Sequence, residues 1–98
     1  MILTGKAYND FYNWLKYNYY QYYLSAHGNN PDSCNNSLII EWFDSVGIYI
    51  NISYELFSYK WNILGDRSYY DLKKYPTRQE STKQAIIKAN DIYNSSKN

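Results

Sequence analysis

The run Ser37 to Ser53, SLIIEWFDSVGIYINIS, changes its hydrophobic period partway along, and that change constrains the fold more than any other stretch. Before Gly47, Leu38, Ile39, Trp42 and Val46 recur at helical spacing, while Ile40 and Phe43 spread apolarity round the sides. Such a helix is mostly buried. Gly47 stands where a left-handed residue ends a helix, since without a Cβ it takes positive φ at little cost, and Ile48 beyond it can close back on the last turn. The period then falls to two. Ile48, Ile50 and Ile52 face one way and Tyr49, Asn51 and Ser53 the other, which describes a strand with one dry face.

A second alternating run, Leu56 to Ile63, sets Phe57, Tyr59, Trp61 and Ile63 against Ser58, Lys60 and Asn62. The reversal between the two runs falls on Tyr54 and Glu55, without glycine. Gly65-Asp66 is a better turn and leads into a short strand from about Arg67 to Leu72. After Lys73, Lys74, Tyr75 and Pro76 comes Thr77-Arg78-Gln79-Glu80, a capping box in which Thr77 caps forward and Glu80 reaches back. The helix it opens, Arg78 to Asn94, is expected to bury Thr82, Ala85, Ile86, Ala89 and Ile92 with Tyr93 alongside, and Ser95 to Asn98 to fray.

Upstream, Thr4 reads as the N-cap of a helix from Gly5 to Tyr23. Its inward stripe is Ala7, Phe11, Leu15 and Tyr22, flanked by Trp14 and Tyr8. The opposite side carries Lys6, Asp10, Asn13 and Lys16, then Tyr17, Tyr20 and, at the edge, Tyr23. Ser25 to Asn36 is a turn-rich connector, and Asn36 or Ser37 caps the next helix. The element order is α-α-β-β-β-α. The fold class is therefore α+β, a small single domain spanning 1–98, with helices packed on one face of a three-stranded antiparallel sheet.

Composition narrows the function classes. A chain of 98 residues holds one domain, and 14 Tyr, 3 Trp and 3 Phe can fill a small core but do not all fit inside it. The formal charge of +1 offers neither the basic excess of a phosphate-bound protein nor the acidic excess of a nucleic-acid mimic. Cys34 is the single cysteine, so no internal disulfide forms, and nothing near the start resembles a signal peptide. An intracellular, cytoplasmic location is the expectation. No apolar run approaches the roughly 18 to 20 residues that cross a bilayer, so no membrane contact is expected. The abundance of Asn, Tyr, Ile and Lys also matches AT-rich codons, which dilutes the tyrosine signal.

Catalytic chemistry is poorly represented. His27, Asp32 and Cys34 share one loop, but structural zinc needs about four ligands and catalytic zinc about three, and no second pair supports them. Nor does Cys34 with His27 have an orienting group in view. Glu41 and Asp44, three apart on a helix, read as a solvated edge. Phosphate-binding glycine loops and the nucleophile-elbow pattern are absent from the sequence. The expectation is a protein that is not an enzyme and takes no cofactor and no metal.

Two binding classes remain. Setting the first helix aside, α-β-β-β-α resembles a double-stranded RNA-binding domain over about the last 60 residues, by topology alone. In that family, lysines opening the last helix contact phosphates. The matching positions here hold Lys73, Lys74, Arg78 and Lys83, interrupted by Gln79 and Glu80. The other class is a protein-binding module. Tyr17, Tyr20 and Tyr23, with Tyr49 on the outer sheet face and Tyr69 or Tyr70 on an edge strand, are of the type enriched at interface hot spots.

The small size, the residue bias and the ending TRQESTKQAIIKANDIYN are similar to short proteins of Bacteroidetes phages and mobile elements, in kind to anti-CRISPR proteins, including an inhibitor of type VI-B RNA-guided RNA nucleases. The resemblance implies stoichiometric association with a host protein or ribonucleoprotein effector, such as a CRISPR nuclease or its guide-RNA channel. It carries over no functional residue. A homodimer through Tyr17, Tyr20 and Tyr23 is left open.

Overall fold

A computed structural model of the chain describes residues 2–21, 23 and 36–97. The order is α1 (Gly5–Asn18), α2 (Asn36–Ser45), β1 (Tyr49–Glu55), β2 (Ser58–Leu64), β3 (Tyr69–Tyr70) and α3 (Arg78–Lys97). The strands form one antiparallel meander, β1-β2-β3. Helices α3 and α2 lie against the sheet, and α1 lies against both of them, contributing Ala7, Phe11 and Leu15 to the core. The α+β class and the helix-helix-sheet-helix order are as the sequence predicts.

The Gly47 stop is built as expected. Gly47 has φ +84°, Ile48 N–H donates to the Phe43 carbonyl (2.9 Å), and Gly47 N–H donates to that of Asp44 (3.2 Å). This closed end aims the chain into β1 with Ile48 and Ile50 inward. Within α2 the burial centres on Ile39, Trp42 and Phe43, whereas Val46 is exposed because the helix has already ended beneath it.

The β1–β2 reversal falls elsewhere than predicted. Glu55 pairs with Ser58, so Leu56-Phe57 is the loop and Phe57 is not a strand residue. A turn at Tyr54-Glu55 would have set Ile63 opposite Val46, inside the helix stop. Two residues later, Ile63 meets Ile50 and Trp61 meets Ile52, so the inner face closes with large residues. β3 is only two residues long rather than Arg67 to Leu72. Asp71 accepts from Lys73 N–H (2.9 Å) and from the Tyr75 hydroxyl (2.6 Å), which folds Asp71–Lys74 out of the ladder until Tyr75 rejoins it opposite Tyr59. Gly65 is required by close approach and not by positive φ: a Cβ there would stand 2.9 Å from the Gly47 carbonyl oxygen.

The first helix ends at Asn18, not Tyr23. Asn18 Nδ2 donates to the Trp14 carbonyl (2.8 Å), and Tyr19 leaves helical geometry at φ −142°, ψ 66°. Thr4 is the N-cap residue, but its side chain does not cap. Ala7 N–H instead donates to Asn94 Oδ1 (2.8 Å), while Asn90 Oδ1 accepts from Thr4 N–H (2.9 Å) and Asn90 Nδ2 donates to Thr4 Oγ1 (3.0 Å). The start of α1 is thus capped by the last helix. For α3, Thr77 Oγ1 accepts from Glu80 N–H (3.1 Å), the forward half of the predicted box. The helix runs on to Lys97, past the expected end at Asn94, with Ser81, Ala85, Ile86, Ala89, Asn90 and Tyr93 buried.

Candidate protein-interaction surface

A two-residue hairpin of type I′ needs positive φ at both central positions, so Asn-Gly is its favoured occupant. Here Leu56 and Phe57 take φ 49° and 65°. Bulky residues in this region are outliers, each strained by about 1–2 kcal/mol. Both side chains are also bare: Leu56 is 78% and Phe57 90% exposed. Apolar surface facing water adds a second unfavourable contribution and gives no packing in return.

The rest of that end of the sheet holds the tip rigidly. Ser58 Oγ donates to the Glu55 carbonyl (3.1 Å) and Lys60 Nζ pairs with Glu55 (3.4 Å), closing the last rung. Beneath it the rings of Tyr54 and Tyr59 lie 4.9 Å apart, and the Arg78 guanidinium stacks 5.4 Å from the Tyr59 ring. Further along β2, in the stretch between the Asn62–Tyr70 and Tyr59–Tyr75 pairs, the arch 71–74 presents Leu72, also strongly exposed. That arch is pinned by the Asp71–Tyr75 bond. The bond from Tyr75 and the Lys73 N–H hold the Asp71 carboxyl below its ordinary range, while burial, then Asp71, push the Tyr75 phenol up.

The sequence-predicted tyrosines divide into two groups. Tyr17 is exposed in the last turn of α1, and Tyr20 is exposed just beyond its end. Tyr23 is not: it is half-buried, edge-on to Tyr12 (6.5 Å) and stacked on Tyr20 (6.0 Å), because the chain turns inward at Tyr19. Tyr49 and Tyr70 are exposed on the face of the sheet turned away from the helices, and Tyr69, on the other face, is half-buried with Lys88 Nζ 5.2 Å from its ring. Because α1 touches neither β1 nor β2, the two groups make no common patch.

Of the predicted RNA-contact residues, Lys73 and Arg78 lie over the rings of Tyr75 (5.5 Å) and Tyr59. Lys74 is exposed beside them. Lys83 is exposed, but five residues after Arg78 it points about 140° away round the helix. Three of the four cations are brought together at the foot of the hairpin, and the fourth is not.

The remaining predicted chemistry does not converge. His27, Asp32 and Cys34 lie outside the described residues. Glu41 accepts from the Tyr19 hydroxyl (3.0 Å), and burial, then the charge of Glu41, raise the Asp44 carboxyl. Asp10, expected on an outer face, instead accepts from the buried Tyr93 hydroxyl and pairs with Lys6 (3.3 Å). Among the described residues no group of three or more His, Cys, Asp or Glu could hold a metal ion, and no helix is long and apolar enough to cross a membrane. The residues that sequence reasoning missed are Leu56, Phe57 and Leu72. An apolar pair between two alternating runs, with no glycine available for the reversal, was the signal. Compared with known proteins, the chain matches no family model, no curated protein and no solved structure.

Proposed function

We propose that the protein is a non-catalytic binding module that acts stoichiometrically, seating the Leu56–Phe57 tip in an apolar pocket of a host effector protein. One observation carries the reading: two bulky residues stand in left-handed conformations at the most exposed point of a hairpin whose base is braced by Tyr54, Tyr59 and Arg78. An observed outlier that folding does not need points to function. Burying the pair in a partner would contribute roughly 1.5–3 kcal/mol per side chain, enough for an anchor of hot-spot size. Little is lost on binding, since the tip is already ordered by the Glu55–Ser58 rung.

Tyr54 extends the apolar contact, and Lys73, Lys74 and Arg78 form a polar rim. The resemblance to phage inhibitors makes an RNA-guided nuclease the first effector to try. The test is capture of such an effector by the immobilised protein, comparing wild type with Leu56→Ser/Phe57→Ser, Tyr17→Ser/Tyr20→Ser and Lys73→Glu/Lys74→Glu. Loss of capture in the tip variant, with the α1 variant unchanged, supports the proposal. If capture survives the tip variant but is abolished by the Lys→Glu pair and by moderate salt, the contact is to RNA and the proposal fails.

A further inference from the structure

The two edges of the sheet are treated differently by the chain. On the β3 side the edge is blunted: two strand residues, an outward arch carrying Lys73 and Lys74, then Pro76. On the β1 side, Tyr49 to Glu55 is a full seven-residue strand that pairs only with β2 among the described residues, with no Lys, Arg, Pro or Gly in it.

The main-chain groups at that edge can be assigned. Tyr59 exchanges both bonds with Tyr75, so odd positions of β2 address the β3 side and even positions address β1. Ser58, Lys60 and Asn62 face Glu55, Ser53 and Asn51. The N–H and C=O of Ile50, Ile52 and Tyr54 therefore point out of the open edge.

We infer that this edge pairs antiparallel with β1 of a second copy, about a two-fold axis through Ile52, to make one continuous sheet. Pairing about Ile52 matches every position. Ile52 meets itself and Ile50 meets Tyr54 on the inner face, with their outward N–H and C=O groups in reciprocal register. On the outer face Asn51 meets Ser53, and Tyr49 meets Glu55, a phenol opposite a carboxylate. Glu55 is the only charged residue in the strand, so no like charges oppose. A shift by one residue would set inner against outer positions, and the pleat forbids that. The isologous pair carries its two hairpin tips at opposite ends of the β1–β1 seam.

Outer-face substitutions test the register without touching the main chain that β1 shares with β2. In Asn51→Glu/Ser53→Glu, carboxylate faces carboxylate across the axis. In Asn51→Lys/Ser53→Glu, ammonium faces carboxylate. Both variants carry Ser53→Glu, which sets a carboxylate opposite Lys60 within the monomer, so both keep its hairpin. Sedimentation should give wild type and the Lys/Glu variant twice the 11.7 kDa chain mass, and the Glu/Glu variant the single mass at the same concentration. Amide exchange of Ile50, Ile52 and Tyr54 should slow as wild-type concentration rises. A wild type that stays at the single mass at millimolar concentration, with those three amides exchanging freely, overturns the inference. So does a dimer that the Glu/Glu variant leaves intact.

Discussion

Tyr93 and Asp10 meet at the junction of the first and last helices, and their pairing sets a pH limit on the fold. Burial, then the bond to Asp10, push the Tyr93 phenol up to about 12. A raised pKa in the folded state means that the contribution to stability is whole below the unfolded value near 10 and is lost as pH climbs through about 12. Tyr93→Phe should lower stability at neutral pH by about 1–3 kcal/mol, since it removes a bond to a charged acceptor. It should also flatten the alkaline fall between pH 10 and 12 seen in urea titrations of the wild type. Most core residues were legible at this scale: Ala7, Phe11, Leu15, Ala85, Ile86 and Ala89 all lie where periodicity puts them. Asn90 and Asp10 were not, because a polar side chain looks outward in a pattern until its partner, here Thr4 or Tyr93, is known.

Helix and strand ends show where local signals suffice. The Gly47 stop and the Thr77 cap are each completed within a few residues, and both were legible. The α1 cap is completed by Asn90 and Asn94 from the other end of the chain, so no local pattern announces it. Asn90→Ala should destabilise by about 1–3 kcal/mol, leaving Thr4 N–H and Oγ1 without their partner. Amide exchange should quicken first in α1. The two glycines at the α2–sheet junction should respond differently to alanine. Gly47→Ala has room for the methyl but holds φ +84°, at about 1–2 kcal/mol. Gly65→Ala drives a Cβ to 2.9 Å from the Gly47 carbonyl, and chemical denaturation should show a loss of about 1–3 kcal/mol with a shifted β2–β3 connection.

For the whole molecule, hydrophobic period and punctuation made the α+β order readable, whereas the exposed surface was read from residue type alone. Tyrosine count pointed to the end of α1 and the outer sheet face. The hairpin register, set by Ile50–Ile63 and Ile52–Trp61 together, moved the turn and left Leu56 and Phe57 at its tip. A register is a property of two strands at once, so neither run by itself reveals which apolar pair is left outside. Folding does not need this pair. Equilibrium urea denaturation of Leu56→Asn/Phe57→Gly, which installs the favoured type I′ residues, tests it most directly. Relief of the left-handed strain predicts a gain of about 1–3 kcal/mol over wild type at equal protein concentration. A variant less stable than wild type would show instead that Leu56 and Phe57 serve the fold.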